Sequence, residues 1–399
     1  MKNLIKQYEQ TFAEILGARR AFAFWKGRVA LYAILKALGI GDGDEIIVPG
    51  YTCVMNVNPI KYLGAKPVYV DIEPLSFNID TNLLREKITS NTKAIIAQHT
   101  YGYPCDMDTI INIAEKNNIP VIEDCCLAIG SKYKGKIAGT FGKAAYFSFQ
   151  WNKPYTTGLG GMVITSDAEL AEKIESLCAV EMYKPSRKEV AMLWAQLIIY
   201  RLLVYPETTA FAQSLFRFLT KKGAVIGSSS TSEFVPEMAS DFFRTAGSVQ
   251  ARAGLRQLRR IGQNINHRRQ MAQLYDELLV EKGWPTRQYD TSIMDPVLVR
   301  YPVRIAEKGK ALAEAASAGI ELGSWFECPL HPKETPLEAY DYDIGMCPKA
   351  EKASNEVVNL PLHQRVNEMT AKRTVNFITK YTFNKPDINS KARVVSGYE

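Results

Sequence analysis

AAYFSFQWNKPYTTGLGGMVIT, Ala144 to Thr165, is the stretch on which the reading of this chain turns. An apolar, strand-like run, AAYFSF, stops abruptly and delivers a single lysine, Lys153, between Trp151 and Tyr155. A glycine-rich turn follows, and the chain resumes as a second strand-like run, GMVIT. A surface lysine that snorkels to water needs no aromatic frame, and an apolar core does not normally accept an ammonium.

Working outward, the same kind of short run recurs in EIIVP (45–49), KPVYVD (66–71), AIIAQH (94–99) and PVIED (120–124). Each is rich in Val and Ile, is bounded by Gly, Pro or Asp, and predicts a strand. Between them RVALYAILKALG and TIINIAEKNN repeat apolar residues at three- and four-residue spacing and predict helices. Strands alternating with helices predict an α/β domain whose mostly parallel sheet is covered on both faces. Ligands of such sheets lie beyond the carboxyl ends of strands, so the residues that follow each run carry the interest.

The chain has 399 residues, 46% hydrophobic and 23% charged, enough for a large core. Its net charge of +7 is spread along the sequence and does not argue for nucleic acid, which calls for a concentrated basic patch. Seven cysteines without a C-x-x-C spacing predict reduced thiols in a cytoplasmic protein. The opening MKNLIKQYEQTFAEIL lacks the continuous apolar stretch of a secretory signal. Residues 181–240 break the alternation: EVAMLWAQLIIYRLLVYP is apolar nearly all round, and TAFAQSLFRFL and KKGAVIGSSSTS follow it. Helical patterning returns in VQARAGLRQLRRIGQNINHRRQMAQLYDELL, then VLVRYPVRI reads as a strand and GKALAEAASAGI as a helix. The expected division is a large domain, 1–250, carrying the insertion, and a smaller α+β domain, 251–399.

Four features carry chemistry. Asp124 ends an apolar strand, where a carboxylate is costly without a cationic partner, although an ordinary helix cap would also explain it. Ser148 lies in the AAYFSF strand, and Lys153 follows it. Gly27 and Arg28 open a strong helix, whose first backbone N–H groups can bind phosphate. GIGDGDE (39–45) ends a helix and enters a strand, the wrong order for a phosphate loop, and reads as a cap and turn. A carboxylate, a lysine and a phosphate cradle together describe a site for pyridoxal 5′-phosphate. The lysine condenses with the aldehyde, and the carboxylate keeps the pyridine nitrogen protonated so that the ring accepts electrons. Aromatic flanks would desolvate an amine that has to be nucleophilic.

Several stretches in order, among them ALGIGDGDEIIVPGYT, LGAKPVYVDIEPLSFNID, HTYGYPCDMDTI, VIEDCCLAIGSKYKGK, FGKAAYFSF, TTGLGGMVIT, GIELG and LPLH, resemble the nucleotide-sugar aminotransferase family (DegT/DnrJ/StrS type). The resemblance covers most of the chain outside 181–240. It implies a homodimeric fold type I enzyme with active sites at the subunit interface, moving an amino group, from glutamate by analogy, onto a nucleotide-linked keto-sugar. By position it implies that Lys153 binds the cofactor aldehyde, Asp124 the pyridine nitrogen, and Ser148 with Gly27, Arg28 and Val29 the phosphate. His99 falls where the family has a histidine near the cofactor, and His331 where it has one on the substrate side. Tyr101, Trp151, Tyr155, Trp325 and Phe326 are candidates for lining the substrate pocket; no metal is expected.

There are departures. The family usually has Gln or His where this chain has Leu127, an aromatic ring where it has Cys53, and an asparagine near the position for which Arg244 is the proposed substitute. These departures leave open a non-catalytic or regulatory relative. The insertion leaves open a lipid-linked or membrane-borne carbonyl substrate: from 181 to 222, Lys184, Arg187, Lys188, Arg201, Arg217, Lys221 and Lys222 face only Glu181, Glu189 and Glu207. A basic, apolar helical pair suits either peripheral contact with a membrane or burial against the body or a second subunit.

Overall fold

The computed structural model describes residues 2–151, 153–203, 234–285 and 289–383. Its centre is a seven-stranded sheet in the order β4-β2-β5-β6-β9-β10-β1. The strands are β1 (Arg20–Phe24), β2 (Glu45–Pro49), β4 (Lys66–Val70), β5 (Thr92–Gln98), β6 (Val121–Asp124), β9 (Ala144–Ser148) and β10 (Gly161–Thr165). All run in one direction except β10, which is antiparallel to both neighbours. The strands expected at 45–49 and 161–165 match residue for residue, and the other four shift by one or two residues at their ends. The edge strand β1, RAFAF, went unread because it is short and follows a long helix directly.

Helices cover both faces. On one lie α2 (Gly27–Ala37), α3 (Val54–Tyr62) and α6 (Ala168–Glu181); on the other α1 (Lys2–Leu16), α4 (Thr81–Glu86), α5 (Met107–Lys116) and α8 (Ser248–Leu258). Strand residues alternate between them, as the two-residue period of a pleated sheet demands. Tyr146 and Val163 enter the core with α2, whereas Phe147, Met162 and Ile164 enter the one with α1 and α8. Helix α2 is buried from Gly27 through Leu35, so its amino end opens inside the molecule at the carboxyl edge of the sheet.

Short pairs complete the chain: β3 (Thr52–Cys53) with β13 (Leu330–His331), β7 (Lys132–Tyr133) with β8 (Lys136–Ile137) and β11 (Met294–Asp295), and β12 (Tyr301–Arg304) with β14 (Val357–Leu360). The last pair is covered by α9 (Ile261–Glu281), α10 (Lys308–Ser317), α11 (Pro348–Glu356) and α12 (Glu368–Ile378). The helical pattern read as continuous from Ser248 breaks at Arg259 and Arg260. Of the insertion, α7 (Arg187–Leu203) packs Leu193 and Leu197 against Trp25, Trp151 and Leu159. Its other side exposes Trp194, Ile198 and Ile199. Arg217, Lys221, Lys222 and Glu207 lie outside the described residues. Among the described residues, no helix is long and apolar enough to cross a membrane.

One buried carboxylate organises the sheet face opposite α2. Glu123 accepts from the amides of Gly139 (2.6 Å), Phe141 (2.7 Å) and Gly142 (2.7 Å), and its Oε2 lies 3.1 Å from His99 Nε2. The Cys105 amide donates to His99 Nδ1 (3.0 Å), so Nε2 carries the ring proton and donates it to Glu123. His99, Glu123 and Cys125 come close enough to suggest a metal site, but a cation there would have to displace three amide donors. Replacing Glu123 with Ala leaves those donors buried and unpaired. The variant is expected to lose about 3–5 kcal/mol of stability in urea unfolding.

Candidate active site

The face of the sheet shared with α2 carries the site. Asp124 is the last residue of β6 and, by the same alternation, points away from Glu123. It is 2% exposed, and it is held at both oxygens: Asn56 Nδ2 donates to Oδ2 (2.6 Å) and the Cys126 amide to Oδ1 (2.9 Å). Asn56, in the first turn of α3, also donates to Thr52 Oγ1 (3.0 Å), which ties the carboxylate to the β3 segment. Sequence reasoning missed Asn56, because one polar residue in VMNVNPIKY gives no signal.

Ser148 ends the adjacent strand β9 beneath the amino end of α2. That end has no side-chain cap and no acidic residue in its first turn. The packing leaves no room for side chains: a Cβ on Gly27 would lie 2.7 Å from Ser148 Cβ, and one on Gly161 would lie 2.3 Å from the Lys26 carbonyl. A helix amino terminus, a hydroxyl and two glycine approaches thus converge in one concavity with an unmatched positive dipole. Arg28 and Val29 occupy the first turn of this helix, and both are buried.

Lys153 follows the loop after β9 and is half-buried. Burial pushes its ammonium below the ordinary lysine range; the Asp124 carboxylate opposes that shift and Arg300 adds to it. The ring beside Nζ is Trp325, 4.7 Å to its centre. This corrects the aromatic frame expected from the neighbouring residues. Tyr155 turns into the α1 core, donating to Tyr8 Oη at 3.0 Å and packing on Phe149. Trp151 packs on Tyr200 of α7 with ring centres 5.1 Å apart. The loop needs those two residues as anchors, so the ring that faces the amine comes from elsewhere in the chain.

Cys53 lies on β3 beside His331 of β13, within electrostatic reach of Lys153, Asp124 and Arg28; burial pushes its thiol up. His331 faces Trp325 and Phe326 edge-on, and burial holds its imidazole down at about 4, so it is neutral at ordinary pH. Its Nδ1 is buried without a partner. Phe326 is buried, and Tyr101 lies within the aromatic cluster of Tyr51, Phe77 and Phe326, its hydroxyl bonded to Tyr51 and to the Trp325 carbonyl. Tyr101 therefore supports the Trp325 loop rather than presenting a free hydroxyl.

Two expected cofactor contacts are not brought together with the rest. His99 is on the opposite sheet face with both nitrogens engaged by Glu123 and Cys105. The Arg244 guanidinium is paired with Glu189 and Asp241, although its backbone carbonyl accepts from the Trp25 amide (3.0 Å) near the α2 terminus. Leu127 is buried in the main core. A surface cavity of about 760 Å³, lined by Gly39, Asp44, Thr89, Lys93 and Asn118 among others, lies at the amino ends of the strands. It holds none of these groups.

The donor set fits pyridoxal 5′-phosphate: an oriented buried carboxylate, an amine biased toward neutrality, and an anion cradle into which a Cβ would intrude. Comparison with known proteins decides the matter. A model of the DegT/DnrJ/EryC1/StrS aminotransferase family matches residues 2–195 and 246–379. The chain belongs to that family. The unmatched internal stretch, 196–245, overlaps the insertion expected at 181–240. The chain is 32% identical over 379 residues to a GDP-perosamine synthase of Caulobacter vibrioides, covering 93% of this chain and 88% of that one. It is 48% identical over 171 residues to an Escherichia coli O157:H7 protein of the same name, covering 43% and 47%. Among solved structures, the aminotransferase TlmJ from Streptoalloteichus hindustanus superposes with a TM-score of 0.74 at 25% identity, over 94% of this chain and 90% of that one. The family member described here is thus a pyridoxal-phosphate-dependent aminotransferase with the α/β architecture expected.

Proposed function

We propose that this aminotransferase moves the amino group of an amino acid, glutamate, onto the carbonyl of a nucleotide-linked keto-sugar, supplying amino sugars for cell-surface glycans or secondary metabolites. The observation that carries the reading is the convergence of Asp124, Lys153 and the α2–Ser148 cradle at the carboxyl edge of one sheet face. The two relatives named as GDP-perosamine synthases support the sugar class of the acceptor. Pyridoxal phosphate, when bound, supplies an electron sink that stabilises negative charge on the substrate carbon bearing nitrogen. The residues around it divide the remaining work. Asp124, fixed by Asn56 and Cys126, holds the proton on the ring nitrogen. The α2 amino end with Gly27, Arg28, Val29 and Ser148 holds the phosphate. Lys153 would attach the cofactor and, once displaced by the donor amine, would carry a proton from the donor's α-carbon to the carbon that had borne the aldehyde. Cys53 and Leu127 offer the ring apolar contact in place of an aromatic or hydrogen-bonding side chain, and Trp325, Phe326 and His331 border the acceptor.

Amino transfer rather than ligand binding without turnover is the function read here. Borohydride trapping followed by peptide mapping is expected to place the cofactor on Lys153. Added glutamate is expected to convert the wild-type cofactor to its amine form, and Lys153→Ala is expected to lower that conversion by at least about 1,000-fold. Trapping at a different lysine, or no conversion with any amino acid, contradicts the reading.

We propose that the large and small parts expected at 1–250 and 251–399 divide near Arg259–Arg260, where the helical stretch from Ser248 breaks. The enzyme is proposed to act in the cytoplasm as a homodimer, with the exposed Trp194, Ile198 and Ile199 of α7 contributing to contact between copies. Light scattering of wild type and a Trp194→Ser/Ile199→Ser variant tests this. Weakened dimerisation is expected. An unchanged dimer combined with flotation on anionic liposomes, lost in the variant, would instead assign the face to a membrane, where exposed Lys184, Arg187 and Lys188 would contribute.

A further inference from the structure

Arg300 stands immediately before β12 and has no part in the cofactor site described above. Its guanidinium nevertheless lies over the Trp325 indole, 5.6 Å from the ring centre, and Lys153 Nζ lies 4.7 Å from that same centre. The two positive groups are near enough for Arg300 to disfavour the charged form of the lysine. Neighbouring arginines are engaged. Arg304 donates to Glu356 (2.7 Å), while Arg268 donates to Asn264 (2.8 Å) and to the carbonyls of Leu298 (3.1 Å) and Val299 (2.8 Å). Among the described residues Arg300 has neither ion pair nor hydrogen bond. The acid that influences it, Glu321, is bonded to His363 at 2.8 Å.

A partly desolvated guanidinium without a counter-ion is costly, and stacking on an indole offsets only part of that cost. The surroundings are nonetheless shaped to keep it there. A Cβ on Gly323 would come within 2.3 Å of Arg300 Nη1, so a side chain there would push the guanidinium from its present position. Asn359, against the same glycine, accepts from the Trp325 amide at its Oδ1 (2.8 Å) and fixes the indole. The Asn359 Nδ2 group is buried with no acceptor in bonding geometry.

We propose that Arg300 is the carboxylate anchor for the amino donor, receiving the carboxylate while the amine of the donor is directed at Lys153. The proposal rests on the aminotransferase reading and names its donor subsite. The planar fork of a guanidinium matches the two oxygens of a carboxylate. An amino-acid donor carries a carboxylate on the same carbon as the reacting amine, which suits an arginine and a lysine flanking one ring. A carboxylate on a sugar-acid acceptor has the same chemistry, and the two half-reactions separate these sources.

The test uses cofactor-loaded wild type, Arg300→Met, Arg300→Lys and Gly323→Ala, each checked for wild-type melting and cofactor content. Glutamate is titrated while conversion of the cofactor to its amine form is followed by absorbance. Binding of glutarate, which has no amine to transfer, is measured by calorimetry. Arg300→Met is expected to raise the half-saturating glutamate concentration about 100-fold and to weaken glutarate in parallel, with the limiting rate far less affected. Arg300→Lys is expected to recover part of the loss. Gly323→Ala, which displaces the guanidinium without removing it, is expected to share the defect. The amine form of each variant is expected to react normally with keto-sugar. Wild-type glutamate and glutarate affinity in folded Arg300→Met overturns the anchor, and a defect confined to the keto-sugar half overturns its assignment to the donor. Wild type that no amino acid converts sinks the underlying aminotransferase reading, an outcome distinct from wild-type conversion that ignores Arg300.

Discussion

The site depends on the placement of one carboxylate in a nearly dry environment. Asp124 is buried at the end of a parallel strand, and water is not available to solvate its charge. Asn56 and the Cys126 amide replace part of that solvation, and each fixes a different oxygen. Those bonds orient the group but do not neutralise it, which leaves the carboxylate ready for a cation in front of it. In the proposed function that cation is the protonated pyridine nitrogen. The remaining geometry follows from the sheet. Adjacent strands β6 and β9 place Asp124 and Ser148 on the face that also receives the amino end of α2, so in the proposed function the ring nitrogen and the phosphate of one cofactor would be held from these two positions.

Trp325 links the two parts of the chain. It comes from the segment before β13, is positioned by Asn359 and by the buried Tyr101, and lies beside both Lys153 and Arg300. Lys308 secures the same loop, donating to the carbonyls of Ser324 (3.2 Å), Phe326 (3.0 Å) and Ser354 (2.7 Å). The aromatic surface beside the Lys153 amine is therefore supplied through tertiary structure. Trp151 and Tyr155 serve the loop backbone and the packing of α7 and α1.

Much of this was legible in the sequence for definite reasons. Asp124 ends an apolar strand, Ser148 lies within one and Lys153 follows one between aromatic neighbours, and a polar residue so placed needs a physical reason. Strands 45–49 and 161–165 were readable to the residue because Pro and Gly punctuate them. Local order does not reveal which ring meets which amine. Trp151 and Tyr155 neighbour Lys153 along the chain, whereas Trp325 reaches it only after some 170 further residues have folded. His99 follows β5 as Asp124 ends β6, but a one-residue difference in register sends it to the opposite face. Arg300 carries a legible signal: within VLVRYPVRI it breaks an apolar run just as Ser148 does in AAYFSF.

Nitrogen magnetic resonance of protein loaded with pyridine-¹⁵N-labelled cofactor probes the ring nitrogen that Asp124 is held to face. Wild type should give the shift of a protonated nitrogen, and Asp124→Ala, still linked through Lys153, should give that of an unprotonated one. An identical shift in both proteins would mean that the buried carboxylate does not govern the ring, and the site would have to be rebuilt without it.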